Sequence, residues 1–222
     1  MATPGLLVDG PGSAPLRLLL AHGAGAPMDS PFMATIAAGL AERGWQVLRF
    51  EFPYMARQRQ IGKRCGPDRL PVLQQAFREQ VRAAGPGAPL LIGGKSMGGR
   101  VASLLVDELV VEELAGDGGL IGCVCLGYPF HPPGKPQQLR TEHLAGLRTP
   151  TLILQGERDS FGRRGEVEAY TLAPPIELQW LPAGDHSFKP TVSSGLSEHD
   201  NLMAACAAVD RFGRRVHAAA NT

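Results

Sequence analysis

A serine set between glycines, Gly94-Lys95-Ser96-Met97-Gly98, closes the apolar run Leu90–Gly93 and is the stretch of this chain best suited to chemistry. The Gly-x-Ser-x-Gly spacing describes a strand that turns sharply into a helix, which leaves the serine hydroxyl exposed above the sheet on a strained backbone. Glycine is needed two residues before and two after, where a Cβ would crowd the turn. A serine hydroxyl is a poor nucleophile at neutral pH, so it needs a base within hydrogen-bond reach and a third group to orient that base. Asp159 and His186 follow Ser96 in an order that supplies both. Two other readings compete. One is a plain glycine-rich turn. The other is a phosphate-binding loop, since Gly94-Lys95-Ser96 matches the end of that motif. The motif needs glycine at position 89, where the chain has Pro89, and its loop would occupy Leu90–Gly93, which reads as strand.

Six histidines could serve as the base, and only His186 both follows the last expected strand and comes after an acid. His22 lies in the loop His22-Gly23-Ala24-Gly25, where holding the loop in shape is its expected role. His131, His143, His199 and His217 fall in loops or helix flanks, where surface roles are expected. Asp159 is preferred over Asp185 as the acid, because Asp185 is adjacent to His186 and points elsewhere in most backbones. Acyl transfer also needs donors for the oxyanion. The Met97 N–H fits one place, and Ala24 or Gly25 supplies the second, since small side chains let the backbone approach a substrate. Tyr54 and Tyr128, with His22 and Gly25, are candidates to line the site.

The elements that must hold these groups alternate. Leu6–Val8 reads as a short edge strand, followed by strands at Leu16–Ala21, Trp45–Phe52, Leu90–Gly93, Leu120–Leu126, Thr151–Gln155 and Glu177–Leu181. Phe32, Ile36 and Leu40 recur at helical spacing, as do Leu70, Leu73, Phe77 and Val81, then Val101, Leu104, Leu105 and Leu109, and finally Leu202, Cys206, Val209, Phe212 and Val216. Short helices are expected around Arg140–Leu147 and Glu166–Leu172, and a polar loop after Pro53-Tyr54. Leu120–Leu126 is apolar throughout, as a strand covered on both faces should be. Strands and helices alternating in this way predict an α/β fold with a mostly parallel, doubly wound sheet. Such sheets bind ligands at the carboxyl ends of their strands. His22, Ser96, Tyr128, Asp159 and His186 all fall just beyond a strand end.

The 222 residues are expected to form one domain, 1–222. With 22 basic and 21 acidic residues, the net charge of +1 supplies no global pull toward nucleic acid or an anionic membrane. Cys65, Cys123, Cys125 and Cys206 lack metal-ligand spacing, and reduced core thiols are expected of them. The first residues have neither the basic start nor the apolar stretch of a signal peptide, and no run approaches a membrane span, so a cytoplasmic location is expected. No cofactor or metal is expected.

The chain resembles the α/β-hydrolase family along nearly its full length. The resemblance is carried by His22-Gly23-Ala24-Gly25, Phe52-Pro53-Tyr54, Gly94-Lys95-Ser96-Met97-Gly98-Gly99-Arg100, Gly127-Tyr128-Pro129, Gly156-Glu157-Arg158-Asp159 and Gly184-Asp185-His186-Ser187-Phe188. It is most similar in look to a small lidless subgroup that includes a subunit of the non-specific-lethal histone acetyltransferase complex and a testis-expressed relative. The resemblance implies an α/β-hydrolase fold of six or seven strands and a Ser-His-Asp hydrolase carried on Ser96, His186 and Asp159. Only about 25 residues separate Leu126 from Thr151, where many relatives insert a cap, so no substantial cap is expected. The expected function is hydrolysis of an ester or thioester of a small acyl substrate. The alternative is a catalytically weak or inactive hydrolase-like interaction module. A further expectation is that Arg57, Arg59, Lys63, Arg64 and Arg69 overhang the site and favour an anionic substrate, against the plainer reading of a solvated loop.

Overall fold

In a computed structural model the described residues are 5–112 and 119–220. Among them, seven strands form one sheet in the order β1-β3-β2-β4-β5-β6-β7. They are β1 (Leu7–Asp9), β2 (Leu16–Ala21), β3 (Trp45–Phe50), β4 (Leu90–Lys95), β5 (Leu120–Leu126), β6 (Thr151–Gly156) and β7 (Ile176–Leu181). Every neighbouring pair is parallel except β1 with β3, so an edge strand runs against the rest. This is the α/β-hydrolase arrangement, with seven strands where six or seven were expected.

Strands β2, β4, β5 and β6 are almost wholly buried because helices cover both faces, which is why they read as unbroken apolar runs. Alternation sorts their side chains. Leu18, Leu20, Val47, Leu91, Val124 and Leu152 pack with Ile36 and Leu40 of α1 (Pro31–Ala41) and Val209 and Phe212 of α6 (Glu198–Ala220). Leu19, Phe50, Ile92, Cys123, Cys125 and Ile153 face the other way, onto α3 (Leu70–Ala84) and α4 (Met97–Glu112). A buried side chain of Leu or Phe size stabilises by roughly 1.5–3 kcal/mol, so two such layers hold the strand ends rigidly enough to aim a site. The four cysteines are free thiols, three of them buried and Cys65 half-buried.

Three elements differ from the sequence reading. Pro53–Ile61, expected as loop, is a helix, α2, opened by Pro53 in its first turn and closed by Gly62 in the left-handed conformation. It buries only Tyr54 and Met55, which are adjacent, so no helical period of core residues shows in the sequence. Arg140–Leu147 contains a 3-10 turn at Glu142–Gly146 in place of a helix. The helix near Glu166–Leu172 is one turn only, α5 (Arg164–Val167).

Chain order moves outward from β2 to β3 and then returns to β4 on the opposite side of β2. The loops leaving β2 and β4 therefore diverge and open a crevice at the carboxyl ends, the switch point at which such sheets bind ligands. One loop carries His22–Ser30 and the other carries Ser96. The 24-residue connection from β5 to β6 holds no cap, only turns and the 3-10 segment.

Candidate active site

Ser96 stands between β4 and α4 with φ 52, in the left-handed region that few residues other than glycine occupy. Such a conformation costs on the order of 1–3 kcal/mol and persists because its surroundings over-determine it. Those surroundings are tight. A Cβ on Gly94 would come within 2.5 Å of the Gly98 carbonyl carbon and 2.7 Å of the Ala21 oxygen, and one on Gly98 within 2.6 Å of that same oxygen. The Ser96 N–H donates to Leu126 O at 2.9 Å, which pins the turn to β5.

His186 lies on the turn after β7, with Nε2 2.9 Å from Ser96 Oγ and Nδ1 2.7 Å from Asp159 Oδ2. With a proton on Nδ1 donated to the carboxylate, Nε2 is left to accept the serine hydroxyl. Asp159 is wholly buried after β6. Beyond His186 it accepts from the Phe161 N–H at 2.8 Å and from Gln155 Nε2 at 2.9 Å, so the buried carboxylate is fully served. Asp185 turns elsewhere, accepting the Ser187 and Lys189 N–H groups through Oδ1. The Phe161 ring lies 4.2 Å from the His186 ring, a contact that limits its rotation. Burial lowers the His186 pKa, the hydrogen bond to Asp159 raises it, and the Lys95 charge lowers it further.

Lys95 is a buried cation behind the serine. Its Nζ donates to the His186 carbonyl and lies 5.2 Å and 5.7 Å from the Phe32 and Phe188 rings. Burial pushes its pKa down to about 8, against the opposing fields of Asp159 and Asp185.

The His22 loop is fastened from below. His22 Nδ1–H donates to Gly23 O at 2.7 Å, and its Nε2 accepts the Phe52 N–H at 3.0 Å. Burial lowers its pKa, in keeping with this neutral tautomer. The Tyr54 hydroxyl donates to Ala24 O at 3.0 Å and lies 3.3 Å from Gly23 O. Carbonyl and N–H point in opposite directions across a trans peptide, so the Ala24 and Gly25 N–H groups face away from Tyr54. Met97 opens α4, where the first N–H groups have no carbonyl within the helix.

The proposed lining residues are seated differently. Tyr54, Tyr128 and His22 are wholly buried and brace loops from beneath, and Gly25 alone of the four is exposed. Tyr128 donates to Arg140 O at 2.8 Å. Other histidines also depart from surface roles. His131 is buried beside Glu166, and His143 Nε2 lies 2.9 Å from Ser103 Oγ on α4, a second Ser–His pair. In the basic stretch, Arg57 pairs with Asp68 at 2.6 Å, and Arg59 pairs with Asp29 and Glu51. Lys63 and Arg64 remain exposed at a groove of ≈ 290 Å³ that Pro27 and Met55 also line. Sequence reading missed Lys95, Gln155 and Phe161 as parts of the site. Gln155 left a signal, a polar residue within the otherwise apolar Thr151–Gln155 run.

The alpha/beta hydrolase domain family matches residues 14–214. The chain belongs to that family. Its fold is shared by an alpha-beta serine hydrolase homologue from Coxiella burnetii, with a TM-score of 0.68, 16% identity, and coverage of 95% of this chain and 94% of that one. A Xanthomonas campestris protein described as an a/b serine hydrolase without lid aligns with a TM-score of 0.66 and 21% identity over 97% and 93% of the two chains. Est1E from Butyrivibrio proteoclasticus gives 0.66 and 15% over 95% and 93%. Among the described residues no helix is long and apolar enough to cross a membrane, and no group of three or more His, Cys, Asp or Glu is placed to hold a metal ion.

Proposed function

We propose that this hydrolase is a serine esterase or thioesterase in which Ser96, His186 and Asp159 act as a catalytic triad. The observation that carries the reading is the continuous chain from Ser96 Oγ to His186 Nε2 at 2.9 Å and from His186 Nδ1 to Asp159 at 2.7 Å, on a serine held at φ 52. Ser96 Oγ attacks the acyl carbon while its proton passes to His186 Nε2, and Asp159 stabilises the imidazolium. The tetrahedral oxyanion takes hydrogen bonds from the Met97 and Ala24 N–H groups. His186 then gives its proton to the departing alcohol or thiol as the acyl–oxygen or acyl–sulfur bond breaks. Water, deprotonated by His186, cleaves the acyl-serine and releases the acid.

The depressed His186 pKa favours this role, because the imidazole stays neutral and basic below its ordinary range. The substrate is a small acyl compound reached without a lid, and the protein works without a cofactor. The rival reading is a hydrolase-like interaction module that keeps the site without using it, favoured by the capless β5–β6 connection, which does little to exclude water from a small substrate.

A fluorophosphonate probe separates the two. The parent protein is expected to label and Ser96→Ala to remain unlabelled. Absence of labelling in the parent, or equal labelling in Ser96→Ala, would sink the hydrolase reading.

A further inference from the structure

Arg100 lies one helical turn beyond Ser96, its N–H donating to Ser96 O at 3.0 Å. Its guanidinium Nε is shut off from solvent and has no hydrogen-bond partner. A buried donor left without an acceptor is unusual and calls for a cause. Arg140 lies close by, on the β5–β6 connection, fixed by its N–H to Phe130 O at 2.8 Å and by its carbonyl, which accepts the Tyr128 hydroxyl at 2.8 Å. Contacts link the two arginines' backbones: Ser103 Oγ donates to Arg100 O and meets His143 Nε2, the His143 ring lies 6.3 Å from the Tyr128 ring, and Tyr128 reaches Arg140 O. Both guanidiniums are partly buried, and neither has a carboxylate partner among the described residues.

Partial burial and the nearby Arg100 charge both lower the Arg140 pKa, so the Arg140 charge is held there at a cost. His143 and Tyr128, the titratable groups beside them, both stay neutral, His143 through burial and the Arg100 charge and Tyr128 through burial, and neither adds repulsion. Several other arginines have their donors met: Arg49, Arg57, Arg59, Arg78 and Arg164 each meet at least one carboxylate, and Arg17, buried without one, donates to the Ala84, Gly85 and Ala88 carbonyls. Two partly buried guanidiniums left without an anion, one of them a helical turn past Ser96, leave room for an anion supplied by the ligand.

We propose that Arg100 and Arg140 form a seat for an anionic group of the substrate, a carboxylate or a phosphate, one helical turn from Ser96. The fork of each guanidinium matches two oxygens of such a group, which a lone ammonium does not. Because β5 pairs with β4 on the side away from β2, the seat lies across Ser96 from the His22 loop. An anion held there leaves the Ala24 and Met97 N–H groups free for the oxyanion. Lys63 and Arg64 are the rival cations, but they are solvent-exposed and so carry no desolvation to relieve.

This inference rests on the serine-hydrolase reading for the word substrate, and its test has an arm that does not. In the first arm, specificity constants are compared for neutral p-nitrophenyl butyrate and for mono-p-nitrophenyl succinate, whose far end is a carboxylate. The parent is expected to favour the charged ester, and Arg100→Gln and Arg140→Gln to lower that preference by about 10- to 100-fold. Lys63→Gln with Arg64→Gln is expected to keep it. In the second arm, succinate and inorganic phosphate are titrated into parent and Arg140→Gln by calorimetry, with binding expected to weaken at least 10-fold in the variant. The stronger of the two ligands identifies the group. Should Arg100→Gln fail to fold, Arg140→Gln decides, since it lies outside any helix. Binding without turnover would keep the seat and remove the hydrolase. Equal preference for the two esters together with unchanged binding in Arg140→Gln would overturn the seat.

Discussion

Two serines seven residues apart, Ser96 at the entrance to α4 and Ser103 within it, each meet a histidine, and both pairs close at 2.9 Å between Oγ and Nε2. Their chemistry differs because the protons run in opposite directions. At Ser96, the Asp159 carboxylate takes the His186 Nδ1 proton, so Nε2 is a lone pair that accepts the serine hydroxyl. At Ser103, the hydroxyl donates to Arg100 O at 3.0 Å, one turn back in its own helix, so its proton is already committed. His143 Nε2 must then be the donor, and a donor cannot act as base toward that serine. Ser103 is also almost wholly buried, whereas Ser96 is partly open to solvent. Distance alone makes the two alike, and the third group makes them different.

The largest expected effect comes from breaking one pair and then the other. Ser96→Ala is expected to lower kcat on a neutral ester by on the order of 10⁴-fold or more, because members of a triad act as a unit. Ser103→Ala is expected to change it less than about threefold and to cost about 1 kcal/mol of stability for the lost hydrogen bond. Matched loss in the two variants, measured by steady-state kinetics and urea unfolding, would dissolve the distinction. Next in size is Asp159→Asn, which makes the His186 environment resemble that of His143 by removing the charged acceptor. A fall in kcat on the order of 10³- to 10⁴-fold is expected, with the protein still folded. A fall below tenfold would mean that Asp159 does not orient the base.

The sequence made one pair visible and hid the other for a physical reason. Ser96, Asp159 and His186 stand at strand ends, where an apolar run stops abruptly at a polar residue. Topology gathers those stops on one rim, so order along the chain becomes proximity. Ser103 and His143 join a helix interior to a 3-10 turn, and no period marks either residue. Lys95 was hidden in the same way, since its role comes from the His186 carbonyl it meets beyond β7, whereas Gln155 showed only its polarity and not its bonds to Asp159 and Tyr128 O. The same limit misplaced Tyr54 and Tyr128. Their positions after strand ends suggested an open rim, but the Tyr54 hydroxyl bonds to Ala24 O beneath the His22 loop and the Tyr128 hydroxyl to Arg140 O in its own connection. Helix α2 escaped because it buries only the adjacent Tyr54 and Met55, which set no helical period, leaving Pro53 and Gly62 as its local marks.

A smaller effect sharpens the comparison through charge. His186 faces Asp159, Lys95 and Asp185, and the Lys95 charge lowers its pKa. In the proposed mechanism the base is the neutral imidazole, so kcat/KM is expected to fall as pH drops through that pKa, with the acid limb below the ordinary histidine value of about 6.5. Lys95→Met removes a positive charge, which raises the His186 pKa and moves the acid limb upward. A limb that stays in place would assign Lys95 only to holding the His186 carbonyl.

The smallest effect belongs to the silent pair and is read in stability. Burial and the Arg100 charge push the His143 pKa down to about 4, whereas in the unfolded chain it titrates near 6.5. Between those values the unfolded state binds a proton that the folded state does not, so stability falls as pH drops from about 6.5 toward 4. His143→Gln removes that component while giving up the hydrogen bond to Ser103. The variant is therefore expected to be less stable than the parent at pH 7.5 and to close the gap, or reverse it, at pH 5. His22 and His186 also carry lowered pKa values, but they are present in both proteins and cancel in the difference. A stability difference that stays constant between the two pH values, measured by urea unfolding, would mean that His143 is as solvated as an ordinary surface histidine. The contrast with His186 would then rest on the absence of a carboxylate alone.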